Sequence, residues 1–254
     1  SRLRPLAYRA FARAVGANLD EAELELDAYR SLGDFFARKL RDGARTIDLT
    51  RNAIIAPCDG VIAARGTAVD GAMVQAKGRT YQLADLVLDE VLAAALGGGD
   101  YMTIYLSPRD YHRVHAPIDA RVVGYDYIPG ALWPVNPRVA ARRDGLLVRN
   151  ERVVIHLNSD EVGDVALVMV GAAGVGNISL AHAFESATVR ASRERRRVEL
   201  GGVTVARGDE LGAFRLGSTV VMVFPRGKSK LDGEVGQPVR FGERIGASIR
   251  GGVA

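Results

Sequence analysis

Residues 151–180 read ERVVIHLNSDEVGDVALVMVGAAGVGNISL, and their texture decides the fold. Short runs rich in Val and Ile are broken by Asn, Asp and Gly, the pattern of strands separated by turns. The same texture extends outward from Ile54, through IIAPCDGVIAARG, YMTIYLSP and ARVVGYDYIPG, to STVVMVFP and GERIGASI near the C-terminus. It predicts a mainly antiparallel, barrel-like β-sheet domain over residues 51–254. One helix is expected to interrupt it at about Leu83–Leu96, before the Gly97-Gly98-Gly99 loop. Segment 190–210, with RASRERRRVEL, reads as an exposed hairpin or loop.

Residues 2–40 read differently. Leu6, Ala10 and Val15 fall near one helical face, while Arg2, Arg4, Arg9 and Arg13 supply a cationic one. Asn18 or Asp20 offers a cap before EAELELDAYRSLGDFFARKL, so helix is expected again. A basic amphipathic helix can bury its apolar side among lipid headgroups, or pack on its own domain with a solvated arginine face. The fold class is therefore α+β: N-terminal helices over residues 1–50, then the β-rich domain.

Composition narrows the classes. A 48% hydrophobic share in 254 residues supplies one sizeable core, which excludes disorder. The net charge of +4 and sequence pI of about 9.4 suit an anionic membrane surface as well as nucleic acid. No run approaches the roughly 18 apolar residues needed to span a bilayer. Cys58, the single cysteine, excludes an internal disulfide and fits a reducing compartment. Residue 1 is Ser, which reads as a trimmed N-terminus.

Four stretches carry candidate chemistry. Ala56-Pro57-Cys58-Asp59-Gly60 is a turn signal, functional if its carboxylate faces something basic. Tyr105 to Pro117, YLSPRDYHRVHAP, holds His112 and His115 three residues apart. Zinc would need further ligands at familiar spacing and none accompanies them, so no metal is expected. A general base or proton donor, or plain structural histidines, remain open. Val170–Asn177 is Gly-rich after a strand, but lacks the helix and acidic partner of a dinucleotide site. Leu216-Gly217-Ser218-Thr219 puts a hydroxyl beside an unhindered carbonyl, a signal that means little alone.

Together these stretches resemble the phosphatidylserine decarboxylases. FFARKLRDGARTID, APCDGVI, YLSPRDYHRVHAP, GALWPVNP, VALVMVGAAGVGNI and GAFRLGST occur in that family's order, from about Arg30 to about Leu231. The LGST form is similar to that of bacterial and mitochondrial members. Cys58 departs from a commoner small residue, and Asn177 from a commoner Ser.

The resemblance implies a lyase made as a zymogen. Asp59, His115 and Ser218 would form a Ser-His-Asp arrangement used once, on the chain itself. Autocatalytic cleavage at Gly217-Ser218 would give a β chain, 1–217, and an α chain, 218–254, headed by a pyruvoyl group derived from Ser218. That group, the sole cofactor, would bind phosphatidylserine through a Schiff base and release CO2, leaving phosphatidylethanolamine for phospholipid biosynthesis. His112 would donate the proton or grip the substrate carboxylate. The resemblance further implies a homodimer, no nucleic-acid partner, and a peripheral place on the cytoplasmic face of the bacterial cell membrane. A soluble amino-acid substrate, a non-catalytic membrane scaffold and a metal hydrolase using His112 and His115 are the competing readings. His156 and His182 have no assigned role.

Overall fold

In a computed structural model, residues 4–76, 78–172, 178–181, 184, 194–215 and 218–249 are described. The chain opens with α1 (Arg4–Val15) and α2 (Leu32–Phe36). There follow β1 (Ala53–Ile55), β2 (Gly60–Thr67), the β3 (Ala72–Ala76) and β4 (Arg79–Gln82) hairpin, α3 (Leu83–Val87) and α4 (Glu90–Leu96). Next come β5 (Asp100–Leu106), β6 (Arg113–His115), β7 (Ala120–Ile128), α5 (Pro137–Ala140) and α6 (Leu146–Arg149). β8 (Arg152–Ser159), β9 (Gly163–Gly171), β10 (Ile178–Leu180), β11 (Arg196–Val205) and β12 (Glu210–Phe214) continue the β-rich part. β13 (Ser218–Val223), β14 (Ser229–Leu231), β15 (Pro238–Val239) and β16 (Arg244–Ser248) complete it.

An eight-stranded sheet in the order β11-β7-β8-β9-β13-β5-β2-β15 forms the centre, antiparallel at every pairing. Strand alternation sorts its side chains. Val220 and Met222 of β13, Ile104 of β5 and Leu167 of β9 enter one apolar layer, beneath the three-stranded sheets β1-β16-β14 and β10-β12-β6. Val221, Val223 and Val168 enter the other, beneath α3 to α6 and the β3–β4 hairpin. The α+β class and the antiparallel sheet follow the sequence reading; among the described residues the strands do not close into a barrel.

Three expected elements differ. The helix expected across 2–40 is two short helices with a turn-rich stretch between them. There Glu23 N–H donates to Lys39 and Arg41 N–H to Glu21, so backbone groups needed for a second long helix are spent on residues 39–41. The helix expected at 83–96 is broken at Leu88, which is left-handed (φ 51°), and Asp89 caps the new start by accepting from Leu92 N–H at 2.9 Å. Segment 190–210 holds β11, an edge strand paired with β7, while 190–193 lie outside the described residues. Its alternating charged residues suit a strand with one wet face, and arginines blunt the sheet edge.

The N-terminal face also turns over. Tyr8 and Ala12 of α1 pack with Tyr29 and Phe35, while Leu6 is 61% exposed. The aromatic side is the one that finds partners, since aromatic rings bury the larger apolar area.

Candidate active site

Ser218 is the first residue of β13, paired with Leu106 on one side and Gly171 on the other. It shares the parity of Val220 and Met222, which turns its side chain toward the layer covered by β6, β10 and β12. It is fully buried, and its hydroxyl has no hydrogen-bond partner among the described residues. Leu216 and Gly217, including the residue expected at the cleaved bond, lie outside the described residues.

The histidine stretch runs into β6, hydrogen bonded to β12. His115 donates from Nδ1 to the Gly208 carbonyl at 2.8 Å, which leaves Nε2 to accept from the Tyr111 hydroxyl at 2.9 Å. Its ring stacks on Phe241 at 3.7 Å between centroids. Burial lowers its pKa to about 4, against the opposing pull of the Gly208 carbonyl. His112 donates from Nδ1 to the Asp110 carbonyl at 2.8 Å, and its buried Nε2 has no partner among the described residues. Burial lowers its pKa to about 3, and Arg38 nearby adds to the fall. Phe36 lies against it, centroids 4.0 Å apart. The two imidazoles thus face different neighbours, and both are neutral near pH 7.

Asp59 does face something basic. Arg45 holds it in a two-pronged ion pair, Nε to Oδ1 at 3.0 Å and one terminal nitrogen to Oδ2 at 2.5 Å, and that nitrogen also meets Glu21. The Phe241 N–H donates to Asp59 Oδ1 at 2.9 Å. The described structure places no hydrogen bond between Asp59 and His115, or between either and Ser218. Phe241 joins the first two, its amide on the carboxylate and its ring on the imidazole. Gly60 follows because a Cβ there would lie 2.5 Å from the Tyr105 carbonyl oxygen, so β2 could not run this close to β5.

With the geometry in view, comparison with known proteins decides the family. The model of the family described as phosphatidylserine decarboxylase matches residues 32–247. The chain belongs to the phosphatidylserine decarboxylase family. It is a decarboxylase, a carboxy-lyase. It is 42% identical over 250 residues to the phosphatidylserine decarboxylase proenzyme of Anaeromyxobacter sp. (strain K), covering 97% of this chain and 88% of the relative. The proenzyme of Myxococcus xanthus (strain DK1622) is 38% identical over 94% of this chain and 86% of its own. That of Yersinia enterocolitica (serotype O:8, biotype 1B) is 39% identical over 97% and 87%.

Within this family member, sequence reading missed Arg45, Tyr111 and Phe241 as neighbours of the site. Arg45 stands inside the matched stretch FFARKLRDGARTID, the one signal that could have raised it. Phe241 lies beyond the matched motifs and had none. His156, given no role, lies 3.0 Å from the buried carboxylate of Asp126, which Arg195 also contacts. His182 and Asn177 lie outside the described residues, as does most of the Gly-rich loop. Among the described residues, no helix is long and apolar enough to cross a membrane.

Proposed function

We propose that the chain is a self-processing, pyruvoyl-dependent decarboxylase that converts phosphatidylserine to phosphatidylethanolamine and CO2 on the cytoplasmic face of a bacterial membrane. Ser218 carries the reading. Among the described residues its buried hydroxyl has no partner, and a buried hydroxyl left so costs about 1–3 kcal/mol. Here that hydroxyl heads the central strand, on the layer that holds β6.

Cleavage needs Ser218 Oγ to lose its proton as it attacks the Gly217 carbonyl carbon. The C–N bond breaks, an ester forms, and elimination frees the Gly217 carboxylate. Water then replaces the nitrogen, released as ammonia, leaving a ketone at position 218. His115 is the base we assign: neutral, with Nδ1–H fixed by Gly208 and the acceptor lone pair on Nε2. The Tyr111 hydroxyl sits on Nε2, so it must yield that atom or pass the proton on. Asp59 acts at one remove, fixing Phe241 against the ring of His115. The ketone supplies covalent capture of the substrate amine and an electron sink when CO2 departs.

His112 in this tautomer presents a lone pair at Nε2, so it must take up a proton before it can donate one or hold a substrate carboxylate. An arriving anion raises the imidazole pKa and helps it take up the proton it must give. The exposed Leu6, Leu24 and Leu32, among the arginines of the N-terminal segment, fit a peripheral membrane contact.

Intact mass of the denatured protein tests this. Two species split after Gly217, the shorter carrying a ketone at its start, are expected, together with CO2 release from phosphatidylserine vesicles. Ser218→Ala should give one uncut chain and no detectable turnover. An uncut wild-type chain that still decarboxylates would overturn the reading.

A further inference from the structure

A cavity of about 410 Å³ opens between the N-terminal segment and Arg215, three residues before Ser218. Five cations line it: Arg30, Arg38, Lys39, Arg113 and Arg215. Glu23 and Asp34 are the acids that line it, so its wall is strongly positive. Two of the cations are engaged: Arg113 holds Glu210 with one nitrogen at 2.6 and 2.7 Å, and Arg215 holds Asp34 at 2.6 Å.

Arg38 is different. It is 4% exposed, yet among the described residues its guanidinium meets no carboxylate within ion-pair distance. One nitrogen donates to the Arg109 carbonyl at 3.2 Å, and Nε has no partner. Arg215 Nε, in the same wall, is also buried and has no partner among the described residues. Burial pulls the Arg38 pKa down, with Arg45 adding to the fall, against nearby Tyr29, Asp59 and Glu21. A buried cation with a vacant donor beside a positive cavity is costly unless an anion completes it. Its fork geometry matches a phosphate better than a lysine would.

A second cavity, about 290 Å³, touches Arg38 from its other side. There Glu21, Asp59 and Asp110 face Arg38, Arg45, Arg109 and Arg240, a smaller cationic excess than in the cavity beside Arg215. The cavity beside Arg215 is the one left short of an anion. It also adjoins the candidate site twice over, since Arg38 lies near His112 and Arg215 leads into Ser218.

We propose that the cavity beside Arg215 binds a phosphodiester, the one joining the serine headgroup to the lipid's glycerol, with Arg38 as its buried anchor and Arg215 at its rim. This rests on the lipid-decarboxylase reading above and names what that site grips. The bound phosphate would hold the headgroup at a fixed reach from position 218, with the acyl chains left outside among the exposed leucines of the N-terminal segment.

Calorimetric titration of the full chain with glycerophosphoethanolamine tests the site without requiring turnover, since this diester lacks the carboxyl that is lost. Saturable binding is expected, weakened at least about 10-fold by Arg38→Gln and left unchanged by Arg226→Gln, a distant exposed arginine. In vesicle assays Arg38→Gln should raise KM for phosphatidylserine by a similar factor, with kcat and chain cleavage nearly unchanged. If Arg38→Gln does not fold, Arg215→Gln takes its place, with about 3-fold weakening expected at the rim. Wild-type binding that is absent, or that survives both changes, overturns the proposal. Tighter binding of inorganic phosphate than of the diester would overturn the headgroup assignment. Arg38-dependent binding by a chain that proves unable to decarboxylate would retire the proposed function and leave the phosphate site standing.

Discussion

β13 and the N-terminal segment are held by different physics. Every side chain of β13 is buried, and six residues ladder to both neighbouring strands. The segment before β1 is held instead by a small aromatic cluster, Tyr8 stacked on Phe35 at 5.3 Å, and by polar ties to the β-rich part. Among those ties are Arg45 to Asp59, Asp34 to Arg215, and Arg113 to the Ala37 carbonyl. The difference teaches where rigidity is needed. On the proposed function, a residue that must meet a carbonyl at bonding distance belongs on a strand fixed from both sides, whereas a segment that would admit a lipid can be drawn from the less stable end of the molecule.

Three measurements would break or sharpen that contrast. Arg45→Met should have the largest effect on stability, about 3–5 kcal/mol, because it leaves the Asp59 carboxylate buried and unpaired. Denaturant unfolding reads it, and a loss under 1 kcal/mol would mean that the segment's main tether is elsewhere. Met222→Ala should cost about 2–5 kcal/mol by opening a cavity in the sheet core, whereas Leu6→Ala should stay within about 0.5 kcal/mol. Equal losses from the pair would erase the contrast.

Acid should act next, and through the site. The folded pKa values of His112 and His115, about 3 and about 4, lie below the ordinary 6.5, so the unfolded chain binds protons that the folded one refuses. Stability therefore falls as pH drops from about 6.5 toward 3. His112→Phe, a neutral ring in an apolar neighbourhood, should flatten part of that fall in thermal melts. An unchanged pH profile would place the buried charge cost elsewhere.

Much of this was legible in the residues alone. Val- and Ile-rich runs of 151–180 announced antiparallel strands because alternation and turn residues are local properties, readable without a partner. The motif order announced the family, and through that resemblance named Asp59, His112, His115 and Ser218 as candidates. The helical pattern at 21–31 misled, because pairing with residues 39–41 is a long-range competition for the same backbone groups. The barrel-like expectation reached only as far as antiparallel pairing, because strand pattern does not say which edges meet.

What the sequence by itself determined was therefore the class of secondary structure, the family, and which side chains could do chemistry. Only the tertiary structure decided that Asp59 turns to Arg45 and Phe241, and that, among the described residues, Ser218 is buried without a partner and Arg38 is desolvated without a carboxylate. Each of those depends on groups distant along the chain being removed from water together, and desolvation is a property of the assembled fold.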